Sequence, residues 1–363
     1  MMSTITFVED WGLPVSAERA RGRRETTASQ RVTVSDVARE AGVSTATVTR
    51  ALQGSAAVVP ATKQRVEEVA RRLGYSPNPM ARDLRHGSRV RAVGLVTAGF
   101  TNAFQAAVAA GAEQELRSSG LELLIASTDD DPEREPELAR AMVDRRVSAL
   151  LMMPDGHARE FLRPESTYRT PVVMVGRPAG ELDVDVVMTD DDVAVEEATA
   201  HLWSLGHRRI AALAGRSDSF RTRQRLEGYR RALARCGGEP DETLVVTGLE
   251  SAAAARQAMQ ELMRGDEVPT AVLALNLGIS TGVLLDRIEN HRETAFIALD
   301  ESELSAGLGI SAIVRDPRAL GREAARLAVA RIESPDAARR TVLLPSKLVQ
   351  RGSGEIPATR VRR

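Results

Sequence analysis

Seven short apolar runs, spaced by stretches of helical length, constrain this chain more tightly than any other feature. They are AVGLVT (92–97), LELLIAS (121–127), SALLMMP (148–154), PVVMVG (171–176), RIAALAG (209–215), TAVLALN (270–276) and TAFIALD (294–300). Amphipathic stretches cover 103–118, 133–145, 192–205, 221–236, 252–264 and 279–289, with one more at 317–333. A strand that is apolar along its whole length, and not only at alternate positions, has both faces buried. Such strands alternating with helices make a parallel sheet covered on both sides, a doubly wound α/β layer. The roughly 270 residues involved exceed one comfortable core. Two lobes are therefore expected, approximately 91–188 plus 317–340 and 189–316 plus 341–355.

Composition narrows the function. No apolar run approaches the ~18 residues of a membrane-spanning helix. Residues 1–30 carry acids early and lack an apolar core, so they read as a flexible leader and not as a signal peptide. The single cysteine, Cys236 in ALARCGGEP, excludes an internal disulfide framework and fits a reducing cytoplasm. It stands where a helix frays, a poor place for a nucleophile. The net charge of −1 conceals a segregation. Residues 31–91 hold 11 Lys/Arg against 5 Asp/Glu, residues 1–30 are balanced, and the remaining 272 carry −7. A small basic unit joined to a larger acidic body suits a polyanion-binding head.

That head, 31–76, opens with Thr33-Val34-Ser35-Asp36, which has the form of a capping box. Val34, Val37, Ala38 and Ala41 follow at helical spacing, Gly42-Val43 breaks the helix, Ser44 can cap the next, and Gly54 can end it. A third helix starts near Pro60 and runs to Gly74. On the second helix, STATVTRALQG, Val48, Ala51 and Leu52 fall on one side. Ala46, Thr49, Arg50 and Gln53 fall on the other, with Thr45 at its edge. An exposed face that is small, hydroxylated and singly charged can lie in a major groove. There Arg can pair with guanine, Gln with adenine, and Ala or a Thr methyl can touch thymine. Two short helices joined by GVS have helix-turn-helix spacing.

The segments VTVSDVAREAGVSTATVTRALQG and RVEEVARRLGYSPNPMARDLRHG closely resemble the DNA-binding headpiece of the lactose-repressor/galactose-repressor (LacI/GalR) family. The resemblance continues through STDDDPERE, HLWSLGHRRIAALAG, RLEGYRRAL and LLPSKLVQRGS. It implies that Thr45, Ala46 and Arg50 read bases with Gln53 nearby, and that Thr33, Ser44, Thr47 and Thr49 contact phosphates. NPMARDLR, in the 77–90 segment, matches a hinge helix that orders on DNA as a symmetric pair and enters the minor groove through Ala81 and Leu84. Leu84 matches the leucine wedge that bends the duplex. Asn78 can cap this helix and Pro79 suits its first turn, yet it is too short to be stable alone. Val59-Pro60 departs from the family, which usually offers a serine cap there.

For the body, 91–363, the resemblance implies two periplasmic-binding-protein-like lobes around a small-molecule effector, a sugar in the common case, and a homodimer on near-palindromic operator DNA. Asn102, Phe104, Asp129, Arg225, Asn276 and Asp300 match or lie near the expected effector positions. Departures stand among them: Leu277 replaces an acid, Gln105 an aromatic, and Gly176 another acid. These, with aromatics at only 3% of the chain, keep a non-sugar or lost effector in play. His157, His201, His207 and His291 have no metal-ligand spacing, so no metal or cofactor is expected, and His207 reads as a turn cap. A solute-binding protein or sugar receptor would have no use for the basic head. An α/β enzyme would need an acid/base pair or nucleophile that no motif supplies. The tail GEIPATRVRR has no heptads for a tetramer. Leu84→Ala is expected to weaken specific DNA binding and reduce the bend, both measurable by gel mobility on permuted fragments. Unchanged affinity and bend would refute the wedge.

Overall fold

The computed structural model describes residues 32–52, 55, 57–75, 90–99, 103–156, 159–265 and 267–358. The expected hinge positions Ala81 and Leu84, with Gln53 and Asn102, lie outside the described residues. The chain divides into two units, 1–82 and 83–363.

The first unit holds helices α1 (Val34–Ala41), α2 (Thr45–Leu52) and α3 (Pro60–Leu73). The capping box forms as the sequence predicts: Thr33 Oγ1 accepts from Asp36 N, and the Asp36 carboxylate accepts from Thr33 N at 2.9 Å. Gly42 and Gly74 close α1 and α3 at φ of 66° and 68°, a left-handed turn that glycine adopts without strain. Val59 offers α3 no side-chain cap, and Pro60 fills the first turn. Val37, Ala38 and Ala41 meet Val48, Ala51, Val66, Val69 and Ala70 in one small core.

The second unit continues with β1 (Val90–Thr97), α4 (Ala103–Ser118), β2 (Glu122–Ser127), α5 (Glu135–Asp144), β3 (Val147–Met152), β4 (Val172–Val175) and β5 (Asp185–Thr189). Next come α6 (Asp191–Ser204), β6 (Ile210–Leu213), α7 (Phe220–Arg235), β7 (Val245–Val246), α8 (Ala252–Leu262), β8 (Ala271–Ala274), α9 (Leu277–Glu289) and β9 (Ala295–Leu299). β10 (Ser311–Val314), α10 (Pro317–Glu333), β11 (Thr341–Leu344) and β12 (Lys347–Val349) complete it. All seven apolar runs become strands. β3, buried at every residue, shows why they are continuous: Leu151 faces the core under α4 and α10, while Leu150 and Met152 face the core under α5.

The strands form two sheets, ordered β11-β5-β4-β3-β1-β2 and β12-β10-β9-β8-β6-β7. Every pairing is parallel except β10 with β12. One boundary needs correction. Residues 341–344, expected in the second lobe, pair with β5 and complete the first sheet. Val342 and Leu344 pack on the first lobe's core, so burial as well as pairing holds the strand there. The chain thus passes between lobes after β5, after β10 and after β11.

Helices α4 and α10 cross with their backbones in contact. A Cβ on Gly321 would stand 2.0 Å from Val108 O, and one on Gly111 2.1 Å from Arg318 O. Gly321→Ala should force the pair apart and cost about 1–3 kcal/mol of stability. Urea unfolding measures this, and an unchanged midpoint would show that the crossing yields freely.

Candidate functional site: a reading helix and an interlobe cleft

On the first unit, Ser44, Thr45, Ala46 and Arg50 are exposed, with Thr47 and Thr49 half-buried beside them. The hydroxyls divide the work. Ser44 Oγ accepts from Thr47 N at 3.1 Å and lies 2.8 Å from Thr47 Oγ1, capping α2. Thr33 Oγ1 donates to Asp36 at 2.7 Å, and Thr49 Oγ1 donates to Thr45 O at 2.9 Å. Among the described residues Thr45 and Arg50 have no side-chain hydrogen bond or ion pair, so both are available to an external partner. The serines and threonines that look odd in a helix are thus partly its own caps.

In the second unit a cavity of about 600 Å³ opens between the lobes, within the size range of small-molecule sites. Its walls come from the carboxyl ends of strands in both sheets, where open α/β folds place ligands. Phe104 and Gln105 follow β1, Asp130 follows β2, Asp155 follows β3, and Asn276 and Leu277 follow β8. Asp300 follows β9, Arg315 follows β10, and Arg225 enters from α7. Of the residues predicted for this site, Phe104, Arg225, Asn276 and Asp300 line it together. Asp129 does not: both it and its neighbour Asp130 are exposed, and only Asp130 stands on the lining. Gly176 is not part of the lining, whereas Leu277 and Gln105 are.

Below the cavity runs a buried chain of charges. Asp191 Oδ2 accepts from Arg225 Nη2 at 2.6 Å and Nε at 2.9 Å, and from Arg315 Nη1 at 3.0 Å. Arg315 also grips Asp300 with two bonds of 2.8 and 2.6 Å. Its guanidinium lies 4.0 Å from the Phe104 ring centroid, a cation–π contact between lobes. Thr189 Oγ1 donates to Asp191 Oδ1 at 2.6 Å, and Arg225 Nη1 to Leu275 O at 2.8 Å. Burial alone would raise the Asp191 pKa. The Arg315 and Arg225 charges and the Thr189 hydroxyl outweigh it and hold the carboxyl well below the usual range. Asp191 and Arg315 were missed in the sequence, although each stands at a strand end, in MTDDD and IVRDP.

Asn276 caps α9, its Oδ1 accepting from Ile279 N at 2.9 Å, which leaves the amide nitrogen beside the cavity. His207 is fully buried and is a structural pin. Its Nε2 donates to Ile356 O at 2.8 Å, which leaves Nδ1 to accept from Thr270 Oγ1 at 2.9 Å. Burial lowers its pKa. No group of three or more metal-binding side chains occurs among the described residues.

Comparison with known proteins covers both units. Residues 33–78 match the model of bacterial regulatory proteins, lacI family, and residues 90–295 that of periplasmic binding proteins and sugar binding domain of LacI family. The chain is 32% identical over 334 residues to the HTH-type transcriptional regulator PtxS of Pseudomonas putida, covering 89% of this chain and 96% of the relative. Among solved structures, the lac repressor dimer bound to operator and the anti-inducer ONPF superposes with a TM-score of 0.75. That match is 23% identical and covers 90% of this chain and 99% of the other. The transcriptional regulator CelR–cellobiose complex gives 0.64 at 30% identity, covering 89% and 100%.

Asp191→Asn strands the buried Arg225 guanidinium and leaves Arg315 with Asp300 alone, and should cost about 3–5 kcal/mol at neutral pH. Because the folded pKa is depressed, this contribution is complete above the unfolded value near 3.9 and fades as pH falls below it. Urea unfolding of both proteins from pH 7 downward should show the gap narrowing below about pH 4. A gap that is small at pH 7, or constant with pH, would contradict the assignment.

Proposed function

Because this chain belongs to the LacI family of bacterial regulatory proteins, we propose that it is a cytoplasmic repressor, not an enzyme, that binds a near-palindromic operator as a homodimer. Thr45, Ala46 and Arg50 read bases, helped by Gln53. Ser44, Thr47, Thr49 and Thr33 fix the helix on the phosphates. Ala81 and Leu84 act in the minor groove. The observation that carries this reading is the exposed pair of Thr45 and Arg50, without a side-chain partner among the described residues, on a helix whose Thr47 hydroxyl is engaged by the Ser44 cap and whose Thr49 hydroxyl bonds back to Thr45 O.

The effector is a neutral, hydroxylated molecule of the sugar class, held between the lobes. Each guanidinium on the lining already faces a carboxylate: Arg216 with Asp218 at 2.7 Å, Arg221 with Asp155 at 3.2 Å, Arg225 with Asp191 at 2.6 Å and Arg315 with Asp300 at 2.6 Å. An anionic ligand would find no uncommitted cation among the described lining residues and would meet Asp130 and Glu250 as well. A carboxylate has about four lone-pair sites, so Asp300 can hold Arg315 and still accept hydroxyls. The Asn276 amide donates beside it, and Phe104 supplies the apolar wall. Whatever the ligand does to DNA affinity, DNA does to ligand affinity by the same factor.

Fluorescence anisotropy against DNA from the chain's own upstream region, with random DNA as control, tests both halves. Arg50→Ala should lose about 1–3 kcal/mol of discrimination while random-DNA binding stays nearly unchanged. One neutral sugar from a panel should shift operator affinity. Relief by sugar acids or sugar phosphates alone would overturn the neutral-ligand reading. Specific binding that no compound moves would mark Leu277 and Gln105 as signs of a lost or unusual effector.

A further inference from the structure

Separately from the buried charge chain, two contacts cross the cleft and both land on the first turn of α7. Asp155 Oδ1 accepts from Arg221 Nη2 at 3.2 Å and from Ser219 Oγ at 3.4 Å. Beside them the Arg177 guanidinium, which follows β4, lies 5.4 Å from the centroid of the Phe220 ring. Asp155 and Arg221 both line the cavity.

Each end of this contact has a stiff support. On the first lobe, the buried Glu135 carboxylate accepts from the backbone N–H of Asp155 at 2.6 Å and of Gly156 at 2.9 Å. Arg177 Nη1 donates to Pro154 O at 3.0 Å and Gly156 O at 2.7 Å, which fixes the same loop from its carbonyl side. On the second lobe, Arg221 stands one helical turn before Arg225, which is anchored to Asp191. The contact between these supports is slight. The ion pair is one 3.2 Å bond beside the long 3.4 Å bond from Ser219 Oγ, with the Asp155 and Arg221 side chains 26% and 23% exposed, unlike the forked and buried Arg315–Asp300 pair. A slight bond between rigid mounts is made or broken by a small change in spacing. Breaking it does not strand Asp155, whose side chain is 26% exposed and open to water. It relieves Arg177 in turn, whose pKa is held down to about 10 by burial and by repulsion from Arg159 and Arg221.

We propose that Asp155 and Arg221 form a cross-cleft latch that sets the spacing of the two lobes, with a cavity ligand sharing or displacing Arg221. The proposal rests on the reading of the cavity as the effector site only in that last clause. An equilibrium between two spacings responds to any ligand that treats them differently, and a weak bond at the mouth is enough to bias it.

The test uses the full chain with Cys236→Ser and spin labels at Glu137→Cys on α5 and Ala253→Cys on α8, both exposed. Pulsed dipolar spectroscopy then reads the interlobe distance. Arg221→Gln and Asp155→Asn should each broaden or lengthen the distribution, and the reversal Asp155→Arg with Arg221→Asp should restore it. High salt should move the unsubstituted protein toward the single variants, since a partly exposed pair is screened. Single variants indistinguishable from the parent, or a reversal as broad as the singles, would overturn the latch. Melting curves check that each variant is folded. The readout contains no DNA and no ligand, so failure of the operator experiment leaves this result standing, and the reverse also holds.

Discussion

One carboxylate between two guanidiniums organises the larger unit. Asp191 stands at the first passage between lobes and Arg315 at the second, and the bond between them ties those passages together. The third is tied in by Asp190, whose Oδ1 accepts from Ser346 N at 2.6 Å. Removing these charges from water is expensive, and a well-packed apolar substitute could match their net contribution to stability. What apolar packing lacks is direction. Arg315 reaches Asp191, Asp300 and the Phe104 face together only where the two sheets stand in one arrangement, so the chain of charges selects a geometry more than it adds stability.

The same arrangement explains the chemistry of the cleft. Strands that run parallel leave their carboxyl ends pointing the same way, and the loops beyond them supply the whole lining. Charges that the lining needs for its own rigidity are already paired. What remains on the lining is the Asn276 amide, hydroxyls, the Phe104 ring and the carboxylates of Asp130 and Glu250. In the head the division of labour is similar. Ser44 and Thr47 cap the start of α2, and among the described residues Thr45 and Arg50 have no side-chain hydrogen bond or ion pair.

Much of this was legible in the sequence because burial on both faces writes itself as uninterrupted apolar runs. Seven strands and the helices around them stand where the runs and amphipathic stretches predict. The five remaining strands escaped notice for a physical reason. β7 and β12 have two and three residues, β10 opens on Ser311 and runs into Arg315-Asp316, β11 is half-exposed, and β5 begins with the buried, ion-paired Asp185. Such segments are shorter or more polar than an apolar-run criterion detects. The displaced lobe boundary at 341–344 follows directly, because β11 is half-exposed at the sheet edge and carries no strong signal. In the site, strand-end reasoning found Asn276 and Asp300 but passed over Arg315 and Asp191. Side chains that a buried network holds look in sequence like ordinary surface charges. Asp129 and Asp130 illustrate the finer limit, since only the turn decides which of two adjacent acids faces inward.

Because the chain passes between lobes three times, neither lobe is a continuous segment. The first sheet lacks an edge strand, and the Gly111 crossing lacks its partner helix, until residues 317–344 exist. During synthesis, some 130 residues of the second lobe must leave the ribosome before the first can close. The first lobe therefore waits with apolar sheet and helix surface uncovered while the second is made. The topology that joins the lobes so firmly in the finished molecule makes the nascent chain dependent on timely completion, and a pause in translation between 190 and 316 would fall in its most aggregation-prone interval.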